Sequence, residues 1–307
     1  IEAAGAMLLL PVFLMDYGLK GIWMAAFHSV SAFCNAGFDI LGTADNAFPS
    51  LTGYSGNALI NVVIMLLIIT GGIGFLTWDD IYRNKMNFKR YRMQSKIILM
   101  TTVCLIVFPA VFFFACDLKN LPVGERLLAA MFQSVTTRTA GFNTIDISAM
   151  SEASKAVMIL LMLIGGSPGS TAGGMKTTTI AVLFANAIAV FRKRQNANCY
   201  GRRIDDSTVK NASAILFMYV FFSMLSAIII SITDGISMQM GMFETFSAIG
   251  TVGLTLGITP TLSAVSRFVL ILLMFFGRVG GLTIIYAAFS QKDASTLKYP
   301  MENITVG

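Results

Sequence analysis

Apolar residues in this chain come in long blocks, not in the spaced stripes of a helix that buries one face in a soluble core. A helix needs roughly 20 apolar residues to cross ~30 Å of hydrocarbon. The stretches 57–78, 95–116, 211–233 and 262–289 have that length. So does 154–190, but Gly165–Gly174 interrupts it. Residues 1–15 are apolar almost from the start and read as the rear half of another spanning helix, its front half lying before Ile1. Between these blocks lie short apolar runs at 23–34, 123–136 and 239–250. A dozen residues at ~1.5 Å each reach only ~18 Å, so these runs are expected to dip into a membrane and return. The pattern predicts an all-α membrane protein.

Composition agrees. Of 307 residues, 55% are hydrophobic and 12% charged, against roughly 25% charged in soluble domains, and mean hydropathy is +0.73. A soluble domain and a disordered chain are both excluded. Cys34, Cys104, Cys116 and Cys199 are few and scattered, and His28 is the single histidine, so neither a disulfide scaffold nor a zinc centre is indicated. A net charge of +6 would suggest nucleic acid in a soluble protein. Here its distribution matters more. The links Asp79–Lys96 and Arg192–Lys210 hold 12 of the 22 Lys and Arg, which the positive-inside rule puts in the cytoplasm. Asp16, Asp39, Asp45, Asp117, Asp146, Asp234 and Glu244 sit beside the short runs and are expected outside.

The short runs are copies of one another. Phe27–Gly37, Phe132–Gly141 and Phe243–Gly253 each open on Phe and close on a small residue and Gly, their final glycines 104 and 112 residues apart. The following stretches Leu66–Thr77 and Leu272–Thr283 align without a gap, and Leu160–Gly166 begins a third copy before departing. The repeated unit is helix, re-entrant helix, glycine-bearing loop, helix. It crosses the membrane twice, so all copies share one orientation and arrange around an axis along the membrane normal, unlike inverted-repeat transporters. The expected divisions are 1–78 (a unit truncated at its N-terminus), 79–190, 191–289 and a polar tail at 290–307.

The loops carry the candidate chemistry. Asn35-Ala36-Gly37-Phe38, Thr139-Ala140-Gly141-Phe142 and Thr251-Val252-Gly253-Leu254 offer no ring of carboxylates, only backbone carbonyls. Such carbonyls replace the hydration shell of a dehydrated cation in potassium filters. Gly lets successive carbonyls turn toward one axis, and each short helix aims its partially negative C-terminal end at the membrane centre. The ion would sit at the carbonyls of Asn35, Thr139, Thr251 and the residues after them. Asp39 and Asp146 follow the loops, either to concentrate cations at the mouth or as ordinary solvated acids. Arg138, three residues before Gly141, is expected to point behind its loop and brace it, and His28 to brace the start of its short helix.

Gly165-Gly166-Ser167-Pro168-Gly169-Ser170-Thr171-Ala172-Gly173-Gly174 cannot sustain a helix. Irregular backbone in hydrocarbon is tolerated only where it is buried in protein or lines a water-filled cavity. Arg278 aligns with Gly72 and Gly166, so it shares a depth with the start of this break. A charge near mid-membrane costs at least ~2.5 kcal/mol on insertion scales and needs water or carbonyls around it. The expectation is a loop that blocks a pore below the filter, with Arg278 as an electrostatic barrier; the alternative is an arginine that ties helices together.

These motifs, together with Gly277–Gly281, Lys176–Thr179 and the tail from Tyr299, resemble the Trk/Ktr/HKT superfamily of bacterial potassium-uptake subunits, most closely the KtrB type, essentially end to end. The resemblance implies four such units around a pseudo-fourfold pore, of which this chain holds the second to the fourth, so that alone it is not expected to conduct. It implies regulated K+ uptake across the bacterial inner membrane, sodium-dependent in some members, by a homodimer seated on a cytoplasmic KtrA-type ring that reads ATP and ADP. No cofactor, enzymatic activity or nucleic-acid binding is implied, and the basic links also suit anionic lipids. Rival readings are a TrkH-like transporter, a less selective Na+ or NH4+ channel and, remotely, an intramembrane serine hydrolase using Ser167 or Ser170 with His28. A phosphate-binding loop at Gly169–Thr177 fails on spacing, because Met175 intervenes before Lys176.

Overall fold

The structure is a computed structural model and describes residues 1–280, except Asp45 and Met86, together with Thr283. Eleven α-helices account for most of the described chain: α1 Glu2–Tyr17, α2 Lys20–Phe33, α3 Ala58–Ile73, α4 Phe75–Asn84, α5 Met93–Cys116, α6 Val123–Thr136, α7 Glu152–Leu163, α8 Thr177–Phe191, α9 Asp206–Asp234, α10 Met238–Ile249 and α11 Ala264–Val279. A two-stranded hairpin, β1 Asn198–Cys199 and β2 Arg202–Arg203, closes the link before α9.

The 24-residue α5 and 29-residue α9 are long and apolar enough to span a membrane. Their faces are inverted relative to a soluble helix. On α9, Phe217, Phe221, Leu225, Ile228 and Ile232 are exposed at helical spacing, while Tyr219, Ser223, Ser226 and Ile230 are buried. Hydroxyls inside and large apolar side chains outside suit lipid as solvent, since a buried Ser can bond its own helix: Ser223 Oγ donates to Tyr219 O at 2.7 Å. This is an integral membrane protein.

Each short helix packs on the helix before it, and α2 and α10 also on the helix after. α2 lies against α1 and α3, and α10 against α9 and α11; α6 packs on α5. The units are joined in sequence, for α3 also packs on α6, and α7 on α10. Hydroxyls seal the pairs. Ser29 donates to Glu2 O at 2.7 Å, and Ser134 at the matched position donates to Ile106 O at 2.7 Å and Leu105 O at 3.2 Å. Pro109 lies inside α5 and cannot donate to Leu105, four residues earlier, so Ser134 serves a carbonyl the helix leaves open. The third helices start alike: Asn57, Ser151 and Ser263 each accept from an amide three residues on, capping α3, α7 and α11, for ~1 kcal/mol apiece.

Three expected spans differ in outline. The stretch 57–78 is not one helix: α3 ends at Ile73, and α4 departs at 95°, because Gly74 adopts φ 94° and ψ 140°. The 16 residues of α3 rise only ~24 Å. The stretch 154–190 is divided as expected, α7 stopping at Leu163 and α8 resuming at Thr177. The stretch 262–289 is helical as far as Val279, with Gly280 at φ 90°; apart from Thr283, its remainder, and the tail 290–307, lie outside the described residues.

Candidate functional site

Each short helix delivers the chain into the same backbone turn. Asn35, Thr139 and Thr251 adopt φ of 51°, 66° and 52°. Two residues later Gly37, Gly141 and Gly253 adopt 72°, 86° and 89°. A left-handed conformation is a genuine outlier for β-branched Thr and costs of order 1–3 kcal/mol, so its recurrence at three matched positions marks a turn the surroundings enforce. The glycines converge. A Cβ on Gly141 would stand 2.4 Å from Val252 O and 3.4 and 3.5 Å from the Cα atoms of Gly37 and Gly253. One on Gly37 would stand 2.2 Å from Ala140 O. No side chain fits at Gly37 or Gly141, and at Gly253, where the nearest atom is 3.8 Å from the Cβ position, the φ of 89° strains one.

Polar groups hold these loops from behind. Ser31 Oγ donates to Phe38 O at 2.7 Å, and Thr136 Oγ1 to Phe142 O at 2.6 Å. In the last unit Glu244, only 4% exposed, accepts from Thr255 Oγ1 at 2.6 Å, Thr259 Oγ1 at 2.8 Å and the Leu256 amide at 3.1 Å. His28 and Gln133 occupy the matching places and are equally buried. His28 Nδ1 lies 2.7 Å from Met24 O, one turn earlier in α2, and its ring stacks on Phe13 of α1 at 5.1 Å, so it braces the interior of its short helix and not, as expected, its start. Two buried oxygens, Asn35 Oδ1 and Thr139 Oγ1, have no partner among the described residues. Ala140, Phe142, Val252 and Leu254 are buried, whereas Phe38 is 70% exposed. Asp39 accepts from the Leu41 amide and Asp146 from Ser148, so both acids stabilise their own turns.

The broken segment between α7 and α8 closes on itself and then reaches every unit. Ile164 and Met175 form a parallel bridge; Gly165 N donates to Met175 O at 2.7 Å, and Thr177 N to Gly166 O at 3.1 Å. Outward bonds follow: Ser167 N to Gly72 O at 3.0 Å, and Phe75 N to Gly169 O at 3.0 Å. The open end of α3 at Gly74 is therefore filled by this segment. Thr171 is the hub. Its hydroxyl donates to Phe33 O at 3.0 Å and accepts from Asn35 Nδ2 at 2.8 Å, its amide faces Gly71 O at 3.3 Å, and its carbonyl accepts from Arg278 Nη1 at 2.9 Å. A Cβ on Gly173 would stand 2.0 Å from Thr251 Oγ1. Lys176 turns back to Ala172 O at 2.8 Å.

Sequence pattern alone thus brought Arg278 and Gly165–Gly174 to one depth, and here they touch. Arg138 is buried, with Nε unpartnered among the described residues, and borders a ~10 Å³ void shared with Gly72 and Gly166. The serine–histidine pairing is not assembled: Ser167 Oγ lies 3.1 Å from Thr177 Oγ1, while His28 is turned to Met24. Sequence reasoning placed Thr171 in the loop without singling it out as the hub, and missed the bend at Gly74. The alignment of Gly74 with Gly280, both at the end of a helix, was the available signal for the second.

Comparison with known proteins now adds to the geometry. Residues 12–297 match the TrkH family, described as a cation transport protein. The chain is 38% identical over its whole length to the potassium/sodium uptake protein NtpJ of Enterococcus hirae, covering 69% of that protein. It is 35% identical to Ktr system potassium uptake protein B of Bacillus subtilis, again over the whole chain and 69% of the relative. The crystal structure of the potassium transporter TrkH from Vibrio parahaemolyticus superposes with a TM-score of 0.74 at 19% identity, covering 94% of this chain and 62% of that one; the chain spans about two thirds of such relatives. By family match and by identity, the chain belongs to the TrkH family of cation transport proteins.

Proposed function

We propose that this chain forms part of a pore that conducts K+ into a bacterium across the cytoplasmic membrane, down its electrochemical gradient and without covalent chemistry. The convergence of Gly37, Gly141 and Gly253 on one point carries this reading. Where side chains are excluded, a passing ion meets backbone carbonyls, here those of Asn35, Thr139, Thr251 and the residues after them, which substitute for its hydration shell. The unclaimed Asn35 Oδ1 and Thr139 Oγ1 add acceptors beside that path.

Segment 165–174 is the gate. Its bonds to Asn35 and its approach to Thr251 set it against the filter loops, and Arg278, held by Thr171 O, adds a positive barrier. The basic links Asp79–Lys96 and Arg192–Lys210 face the cytoplasm. Relatives named as parts of a Ktr system support a multi-chain assembly: a homodimer docked on a nucleotide-binding ring that biases the gate segment between two arrangements. A ligand shifts such an equilibrium only by binding one state more tightly. The name of the Enterococcus relative favours a second reading, in which sodium is also carried or required.

Full-length protein in vesicles, assayed for K+ and Na+ uptake, tests this. Gly141→Ser adds a side chain where Val252 O lies 2.4 Å from the Cβ position and is expected to lower K+ over Na+ selectivity. Deleting Ser167–Ala172 should raise flux sharply. Unchanged selectivity in the first defeats the filter assignment, and unchanged flux in the second defeats the gate. Equal flux with ATP and ADP on the bound ring removes the regulatory reading.

A further inference from the structure

A cavity of about 430 Å³ opens between the starts of α5, α8 and α9. Its inner wall is apolar, from Ile97, Val182, Ala212 and Ile215, and its rim is polar, with Gln94, Thr208 and the oppositely charged Arg203 and Asp205. Thr179, which is buried, also lines it. One further wall residue is Pro168, within the segment between α7 and α8.

We infer that this cavity is a binding site for one anionic phospholipid. The inference rests on the placement of the basic links at the cytoplasmic surface proposed above, which sets the rim at headgroup level and the apolar wall below it. Only an amphipathic occupant matches both: an acyl chain along Ile97 and Ile215, and a phosphate at the Thr179 and Thr208 hydroxyls. The lining itself balances Arg203 against Asp205, so it is the net positive charge of the adjoining link that selects the anionic class. The adjoining link carries Arg192, Lys193, Arg194, Arg202, Arg203 and Lys210 against Asp205 and Asp206. Arg203 itself is shared with Asp206 at 3.1 Å on an exposed face, an arrangement weak enough for a phosphate to compete with. Because Pro168 is part of the wall, filling the cavity bears on the gate segment, giving membrane composition a route to the pore that needs no other protein.

The test uses purified full-length protein and native mass spectrometry with dioleoylphosphatidylglycerol or dioleoylphosphatidylcholine as probe. One phosphatidylglycerol is expected to bind about fivefold more tightly than phosphatidylcholine, as roughly one recruited cation implies. Thr208→Trp, which fills the cavity from its exposed rim, and Arg203→Gln should each abolish that preference. Equal affinity for the two lipids, or a preference retained in both variants, overturns the site. Flux into phosphatidylcholine vesicles with and without a quarter of phosphatidylglycerol reads the coupling: a difference in wild type that disappears in Thr208→Trp supports it, and no difference overturns it. Lipid counting does not depend on conduction, so failure of the pore reading and failure of this site are separable.

Discussion

Removing one hydroxyl from Thr171 should loosen the gate. Thr171→Val keeps the β-branched shape and deletes only the group that donates to Phe33 O at 3.0 Å and accepts from Asn35 Nδ2 at 2.8 Å. Each neutral hydrogen bond is worth about 0.5–1.5 kcal/mol net, so the two together hold this arrangement by about 1–3 kcal/mol. Pore water can solvate Phe33 O and Asn35 once the segment withdraws, which places the loss on the blocked state. At 1.4 kcal/mol per factor of ten, the open fraction should rise about 5- to 150-fold from a mostly closed starting point. The amide bond to Gly71 O and the Arg278 bond to Thr171 O involve backbone and survive the substitution, so the gate should remain partly effective.

The assay is initial K+ uptake by full-length protein in vesicles, normalised to reconstituted protein. A cycle with Asn35→Gly isolates the contact, since glycine tolerates the φ of 51° at that position. Flux should rise in each single variant and by less than the product in the double, with a coupling of about 0.5–1.5 kcal/mol. Flux within twofold of wild type in Thr171→Val, with normal elution and selectivity, refutes the claim that this hub holds the pore shut; strict additivity refutes the Thr171–Asn35 contact as its means.

Further outcomes follow from single contacts. Gly173→Ala puts a Cβ 2.0 Å from Thr251 Oγ1, so the segment must back away from the last filter loop and K+ uptake should rise. Glu244→Ala leaves the Leu256 amide and the Thr255 and Thr259 hydroxyls without their acceptor; a stability loss of about 1–3 kcal/mol, read as a lower Tm in detergent, should accompany reduced selectivity. Asp80 on α4, beyond the apolar stretch 57–78, is buried, which by itself would raise its carboxyl, but the Arg92 amide at 2.7 Å, the Ser95 hydroxyl, the Arg92 charge and Asn84 hold it below the ordinary carboxylate value. A depressed folded value contributes stability that is present above the unfolded pKa and is lost as pH falls through the folded one. The Tm difference between wild type and Asp80→Asn should therefore be full near about pH 7 and shrink below about pH 4; a constant difference contradicts it.

Much of the architecture was legible because lipid imposes simple rules. Block length separated α5 and α9 from the short α2, α6 and α10, and the repeated Phe-to-Gly motif located three loops that then converge in space. Periodicity could not say where a helix bends. Leu66–Thr77 is uniformly apolar enough to read as part of one span, yet the chain turns at Gly74 because Gly169 O supplies the Phe75 amide from another unit. That bond is long-range and leaves no local mark. The role of Thr171 as a hub was hidden for the same reason. In sequence it is one small polar residue among glycines, and its importance comes from four groups, on Phe33, Asn35, Gly71 and Arg278, that only tertiary packing brings together.

The two helix interruptions explain each other. A helix that stops inside a membrane leaves carbonyls unpaired, at several kcal/mol apiece in hydrocarbon. α3 stops at Ile73, and Gly71 O and Gly72 O are taken by the amides of Thr171 and Ser167. The segment between α7 and α8 has amides to spare because Gly and Pro keep it out of a helix. Arg278 near the end of α11 likewise finds its acceptor in Thr171 O. One irregular segment thus satisfies groups at the breaks of its neighbours, and its own backbone is satisfied in return. Moving it would expose all of these groups at once, so a second arrangement is affordable only where water enters to replace them. That condition is met in an open pore and not in a dry one, which would tie the position of this segment to the wetting of the path it is proposed to block.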